Sequence, residues 1–137
     1  VGIVGLGGTG RAVADRAHGF GMKVIAVDPE DIGTHPKVTT CWKMDRFHDM
    51  LKQSDVVMIC APLTPETENL FDREAFTRMR NHAILINVTR GKIVDEQSLM
   101  DALRNGAISR LVSFSPKLML SGVLRLSMRA LAASEPP

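Results

Sequence analysis

Val1-Gly2-Ile3-Val4-Gly5-Leu6-Gly7-Gly8-Thr9-Gly10 is the stretch from which the rest of the chain can be placed. Val1 to Leu6 reads as a short buried strand, and Gly5 to Gly10 is a G-x-G-x-x-G that turns this strand into a helix. Gly5 permits the tight turn, Gly7 lets the backbone approach a pyrophosphate with no Cβ in the way, and Gly10 lets helix and strand pack closely. Phosphates would rest on the free N–H groups of the helix N-terminus. Such a turn also occurs for packing alone, so a second feature is needed. Asp28 supplies it, eighteen residues after Gly10 and at the end of a second apolar run, Met22 to Val27. An acid there stands where the ribose hydroxyls of a bound dinucleotide need an acceptor.

Downstream, apolar strands and helical patterns alternate. Thr9 to Phe20 reads as a helix with Val13, Ala17 and Phe20 on one face and Arg11, Asp15 and His18 opposite. A short strand is expected at Val38–Cys41 and a short helix at Asp45–Lys52, burying Phe47, Met50 and Leu51. Asp55 to Cys60 is the next buried strand, followed by a loop in which Thr64 and Pro65 suit an N-cap and first helical residue. Asp72 caps a helix with Ala75, Phe76 and Met79 inward and Arg73, Arg78 and Arg80 outward. Ala83 to Val88 is a strand, Thr89-Arg90-Gly91 its turn, and Asp95–Asn105 a helix stopped by Gly106.

This alternation implies an α/β fold, a Rossmann-type doubly wound parallel sheet. Ligands of such sheets bind beyond the carboxyl ends of the strands. Gly5 to Gly10, Asp28 with Pro29, Cys60 to Thr64 and Asn87 to Gly91 all fall at that edge. His82 precedes its strand and so falls at the other. Asp28-Pro29-Glu30-Asp31 holds three acids and no base, and a 2′-phosphate beside Asp28 would meet like charge worth ~4 kcal/mol per close pair at an effective dielectric of ~20. NAD is therefore expected over NADP. A solvated acidic turn would account for Glu30 and Asp31, though less well for the position of Asp28.

The 137 residues suit one domain, and a net charge of +2 gives no broad electrostatic case for nucleic acid. Cys41 and Cys60 lack C-x-x-C spacing, so neither a disulfide framework nor a zinc site is expected, and a reduced, cytoplasmic setting follows. No apolar run approaches the ~18 residues of a membrane span. Because the chain opens with Val already inside a strand, it reads as a piece of a longer protein, its sheet incomplete at both ends.

Together these segments resemble the nucleotide-binding domain of the D-isomer-specific 2-hydroxyacid dehydrogenases over about residues 1–109. The carriers are Val4 to Gly10, Gly19-Phe20-Gly21-Met22-Lys23-Val24, Ser54-Asp55-Val56-Val57, Pro62 to Thr67, and above all Leu85-Ile86-Asn87-Val88-Thr89-Arg90-Gly91-Lys92-Ile93-Val94-Asp95-Glu96. The resemblance implies that Arg90 is the catalytic arginine, gripping the carboxylate and C2 oxygen of a 2-hydroxy or 2-oxo acid beside the nicotinamide. A planar guanidinium suits that task because it makes two parallel charge-assisted bonds. The implied cofactor-binding set is Gly5, Gly7, Gly8, Thr9, Gly10, Asp28, Pro29, Cys60, Ala61, Pro62, Thr64, Val88, Thr89 and Arg90, with Gly91 also lining the channel and no metal. Asn87 is expected to steady the turn through backbone bonds. Many members carry a basic residue at the place of Gly8, so phosphate binding here rests on backbone donors. Homodimerisation is expected by analogy with the family.

Past Ser109 the pattern departs, and residues 110–137 read as a divergent tail. Leu111 to Phe114 suits an edge strand, although Arg110 fits a buried position poorly; Lys117–Ala133 has the spacing of a basic amphipathic helix, weakened by Gly122. The family's His–Glu acid/base pair finds no match among His18, His35, His48, His82 and Glu135. His35 is the one histidine expected in a loop at the ligand edge, on the adenosine side. The chain is thus expected to bind NAD and to be catalytically incomplete. Two other readings stand beside this one: a non-catalytic, NAD-dependent corepressor-like module, and a truncated or frame-shifted remnant.

Overall fold

The computed structural model describes residues 1–33 and 35–113. Among them, six parallel strands run in the order β3-β2-β1-β4-β5-β6. The strands are β1 (Gly2–Val4), β2 (Ile25–Val27), β3 (Thr40–Trp42), β4 (Val56–Ile59), β5 (Ile84–Asn87) and β6 (Arg110–Ser113). The helices are α1 (Gly8–Gly19), α2 (Phe47–Lys52), α3 (Arg73–Arg78) and α4 (Glu96–Arg104). The order reverses between β1 and β4, and at such a switch point a crevice opens beyond the strand ends.

Alternation along each strand divides the interior. Val4, Ile25, Val27, Val57, Ile59 and Leu85 face a core shared with Phe47, Met50, Leu51, Phe76, Leu99 and Leu103 of α2, α3 and α4. Ile3 and Ala26 face the opposite way, against Ala14 and Ala17 of α1. Through the register Ile3↔Met58 and Met58↔Ile86↔Val112, that second face continues onto β4, β5 and β6. There Met58 and Ile86 are half-buried and Val112 is exposed. β1 and β2 are buried on both faces, while β4 and β5 alternate.

α1 meets the sheet through Gly10, Ala14 and Ala17; of the expected face of Val13, Ala17 and Phe20, Ala17 is buried and Val13 packs half-buried on the same cluster, while Phe20 does not. Close approach demands small residues, and a Cβ on Gly10 would lie 2.1 Å from the Gly5 carbonyl oxygen. Phe20 is the C-cap and is 83% exposed. Met22, expected within β2, is exposed as well, because Gly21 at φ +75° turns the chain before the strand begins.

The segment after β4 is the clearest departure. Thr64 and Pro65 start no helix; the Thr64 carbonyl accepts from the N–H groups of Thr67 and Glu68, and Asn69 at φ +54° ends the turn. The Thr67 hydroxyl secures it, accepting from Thr64 N–H at 2.8 Å and donating to the Pro62 carbonyl at 2.8 Å. A shorter correction applies to Asp45–Lys52, where a 3-10 turn (Met44–Arg46) precedes α2. β3 lies two residues later at its start than the expected Val38–Cys41.

Asp72 caps α3 as expected, accepting from Ala75 N–H at 2.9 Å, and Asp95, expected as the first residue of the next helix, proves to be the N-cap of α4, accepting from Ser98 N–H at 2.9 Å. β6 pairs with β5 in parallel, and Arg110 sits exposed on this edge strand, which removes the difficulty of burying it. The expected helix at Lys117–Ala133 lies outside the described residues.

Candidate functional site

The glycine turn is locked by its neighbours. Gly5 adopts φ +88°, its N–H donates to the Val27 carbonyl at 2.9 Å, and a Cβ there would lie 2.8 Å from the Ala61 nitrogen. Cys60 N–H donates to the Val4 carbonyl at 2.8 Å. Gly5, Cys60 and Ala61 are thus brought into contact at the switch point between β1 and β4.

Gly7, Gly8 and Thr9 point the other way, exposed at the start of α1. Gly7 is the N-cap and no side chain caps the helix. The first intrahelical bond is Arg11 N–H to the Gly7 carbonyl, so the amides of Gly8, Thr9 and Gly10 precede the hydrogen-bonded ladder. A Cβ built on Gly7 or Gly8 meets nothing within 4 Å. Uncapped amides at a positive helix end, facing open space, form an anion cradle.

Asp28, at the end of β2, stands beside the cradle and is only 7% exposed. Its Oδ2 accepts from Leu6 N–H at 2.7 Å and its Oδ1 from Glu30 N–H at 2.9 Å. The expectation for Asp28 is a ribose acceptor; the bonds seen here, which the sequence does not suggest, weld the glycine turn to the loop after β2. Each carboxylate oxygen retains a lone pair, so both tasks are compatible. Pro29 is exposed beside it, its carbonyl held by Lys43 Nζ at 3.1 Å.

At the end of β5, Asn87 is 2% exposed and organises the turn. Its Nδ2 donates to the Arg90 carbonyl at 2.9 Å, and its Oδ1 accepts from Thr89 N–H at 3.0 Å and the Thr89 hydroxyl at 3.1 Å. That is the backbone-steadying role expected for it. Val88 and Thr89 are half-buried, while Arg90 is exposed, its guanidinium bonded to the adjacent Thr89 carbonyl at 3.3 Å. Asn69, Phe71 and Asp95 exchange backbone bonds with Lys92, Ile93 and Phe71, tying the Pro62–Thr64 loop's continuation to the segment beyond Arg90.

The histidines stand apart from this edge. His82 Nε2 lies 2.7 Å from Asp55 at the amino ends of β4 and β5, and His18 is exposed in the last turn of α1. His48 faces Glu74 at 3.7 Å. His35 pairs with Asp15 at 3.8 Å, about two turns along α1, and so lies over the helix flank and not at the ligand edge as expected. Burial pushes the Cys60 thiol up to about 11, leaving it protonated and without nucleophilic character at neutral pH. Among the described residues no group of His, Cys, Asp and Glu is arranged to hold a metal ion. No described helix is long and apolar enough to cross a membrane.

Two concavities of about 500 and about 300 Å³ open at the amino edge of the sheet, one beside His82 and Arg110, the other beside Val1 and Asp55. Neither is lined by the glycine turn, Asp28, Cys60, Ala61 or the Asn87–Arg90 turn. In a doubly wound sheet the chemistry of the carboxyl edge is the better guide.

Comparison with known proteins identifies the family. The family model described as D-isomer specific 2-hydroxyacid dehydrogenase, NAD binding domain, matches residues 1–113, which takes in β6. The chain is 40% identical over 110 residues to a glycerate dehydrogenase of Methylorubrum extorquens, covering 79% of this chain and 32% of that protein. It is 39% identical over 109 residues to a glyoxylate reductase of Thermococcus kodakarensis, covering 80% of this chain and 32% of that one. Among solved structures, a D-isomer specific 2-hydroxyacid dehydrogenase from Xanthobacter autotrophicus, in complex with NADPH and MES, superposes with a TM-score of 0.80 at 32% identity, over 84% of this chain and 36% of that one. An NAD-complexed relative from Lactobacillus delbrueckii gives 0.73 at 34%, over 83% and 35%. The chain thus spans about a third of the length of the proteins it matches.

Proposed function

The chain belongs to the D-isomer specific 2-hydroxyacid dehydrogenase family, as its NAD-binding domain, and from that premise we propose that it grips NAD for the interconversion of 2-hydroxy and 2-oxo acids by a longer protein. One observation carries the reading: uncapped amides at the start of α1 are joined, through the Leu6 N–H to Asp28 bond, to a carboxylate at the end of β2. These residues fit a dinucleotide. Gly7 and Gly8 leave room for the pyrophosphate, and Gly8, Thr9 and Gly10 offer it N–H donors. Asp28 would accept from the adenosine ribose, with Pro29 beside it. Cys60, Ala61, Pro62, Thr64, Val88 and Thr89 would line the path toward the nicotinamide.

When bound, the dinucleotide supplies or accepts the hydride. Arg90 is the residue assigned to the substrate: its exposed guanidinium, on a turn stiffened by Asn87, would hold a carboxylate and C2 oxygen in place. Proton transfer to that oxygen needs an acid, and the described histidines stand away from this edge, His35 beside Asp15, His48 beside Glu74, His82 beside Asp55 and His18 exposed at the far end of α1. Alone, this chain is therefore a binding module. NAD is preferred to NADP because Asp28, Glu30 and Asp31 stand where a 2′-phosphate would arrive. A cytoplasmic setting and a homodimer complete the proposal, with the domain taken beyond the expected limit at Ser109 to include β6.

Titration of the purified chain with NADH and NADPH tests the assignment. Tighter NADH binding is expected, and equal affinity would contradict the role given to Asp28. Assay with glyoxylate, hydroxypyruvate or pyruvate and NADH should show no turnover at ordinary enzyme rates. Such turnover would refute the absence of a proton donor.

A further inference from the structure

A dinucleotide can touch the glycine turn and the loop after β2 together only if the two keep a fixed spacing. Arg11, in α1, bridges them. Its Nε donates to the Leu6 carbonyl at 3.3 Å and its Nη2 to the Ile32 carbonyl at 2.8 Å, both partly buried. Leu6 N–H in turn donates to Asp28, so a closed circuit runs from Asp28 to Leu6, through Arg11 to Ile32, and back along the loop to Asp28. The Ile32 side chain adds an anchor, packing against the Ile3, Leu6 and Ala14 cluster. Arg11 spends its charge on two carbonyls although Asp28, Glu30 and Asp31 are near in sequence to one of them. Hydrogen bonds from a charged donor are the stronger class, and a guanidinium holds two acceptors in one rigid plane.

We propose that Arg11 is a positioning residue for dinucleotide binding: it sets the distance between the phosphate cradle and the ribose acceptor, acting through the Leu6 and Ile32 carbonyls without touching the cofactor. The proposal rests on the dinucleotide reading above. Its consequence is specific to ligand length. A ligand held at two subsites gains effective concentration from their fixed separation, whereas one that occupies a single subsite gains none.

The test uses the 137-residue chain and its Arg11→Ala, Arg11→Gln and Arg11→Lys variants, titrated with ADP-ribose, adenosine and pyrophosphate, with thermal melts in parallel. Arg11→Ala should weaken ADP-ribose about tenfold, the scale of one lost charged hydrogen bond, and leave adenosine and pyrophosphate within about twofold. Arg11→Lys should fall between, since one ammonium replaces a two-acceptor plane. If Arg11→Ala melts below the assay temperature, the same pattern is required of Arg11→Gln and Arg11→Lys. Equal weakening of all three ligands, or none, would overturn the positioning role alone. Failure of the unaltered chain to bind ADP-ribose or NADH would instead overturn the dinucleotide reading, and this proposal with it.

Discussion

The two edges of the sheet spend their polar groups in opposite ways. At the amino edge, Asp55 takes Arg80 Nη1 at 2.7 Å and His82 Nε2 at 2.7 Å, while Arg80 Nε also donates to the Lys52 carbonyl at 2.9 Å. Side chains there satisfy one another. At the carboxyl edge, Asp28 and Asn87 satisfy backbone groups and so stiffen two turns, and the amides opening α1 and the Arg90 guanidinium face outward. The proposed function puts binding where rigid main chain has been left with donors to offer, whereas concavity by itself points to the other edge.

Substitutions should separate the edges, and the largest effect is expected at Gly10. An alanine Cβ there would lie 2.1 Å from backbone, so Gly10→Ala should abolish NADH binding and cost about 1–3 kcal/mol in a denaturation curve. Asp28→Asn comes next. It turns a donor toward a backbone N–H, and about 1–3 kcal/mol of stability should go together with the preference for NADH over NADPH. Gly7→Ala should weaken NADH severalfold in a fluorescence titration while leaving stability within ~0.5 kcal/mol, because its Cβ meets only the space reserved for phosphate.

The amino edge should respond least. Asp55→Asn is expected to change stability by no more than ~1 kcal/mol, with NADH affinity unaltered, because exposed ion pairs are weak and salt-screened. Hydrogen bonds from His82 and Arg80 hold the Asp55 carboxyl below its ordinary range. A depressed folded-state pKa gives stability that is fully present above the unfolded value of about 3.9 and is lost as pH falls through the folded one. The gap between Asp55→Asn and the unaltered chain should therefore close on acidification below about pH 4, which urea melts across pH would show.

Most of the sheet and its ligand edge were legible in the sequence, because strong local signals agreed with the tertiary fold. Glycine spacing, apolar runs and the Asp72 cap each named one element without reference to distant residues. The errors arose where a distant partner decided. Thr64-Pro65 looks like a helix start, yet the Thr67 hydroxyl and left-handed Asn69 close the chain into a turn. Phe20 fits an apolar face by spacing, but sheet contact through Gly10, Ala14 and Ala17 fixes the rotation of α1. Spacing puts Arg11 on the polar face of its helix, and its bond to the Ile32 carbonyl, twenty-one residues on, leaves no mark there. Asp28 was legible as an acceptor, while its bond to Leu6 N–H was not, since backbone donors leave no mark in a sequence.

Amide chemical-shift mapping of the chain during an NADH titration discriminates most directly between the two edges. Saturable shifts should concentrate at Gly7 to Gly10, at Asp28 and at Val88 to Arg90, with Asp55, His82 and Ser109 unmoved. Shifts centred on Asp55 and His82, or a glycine turn that stays silent while NADH binds, would contradict dinucleotide recognition at the carboxyl edge.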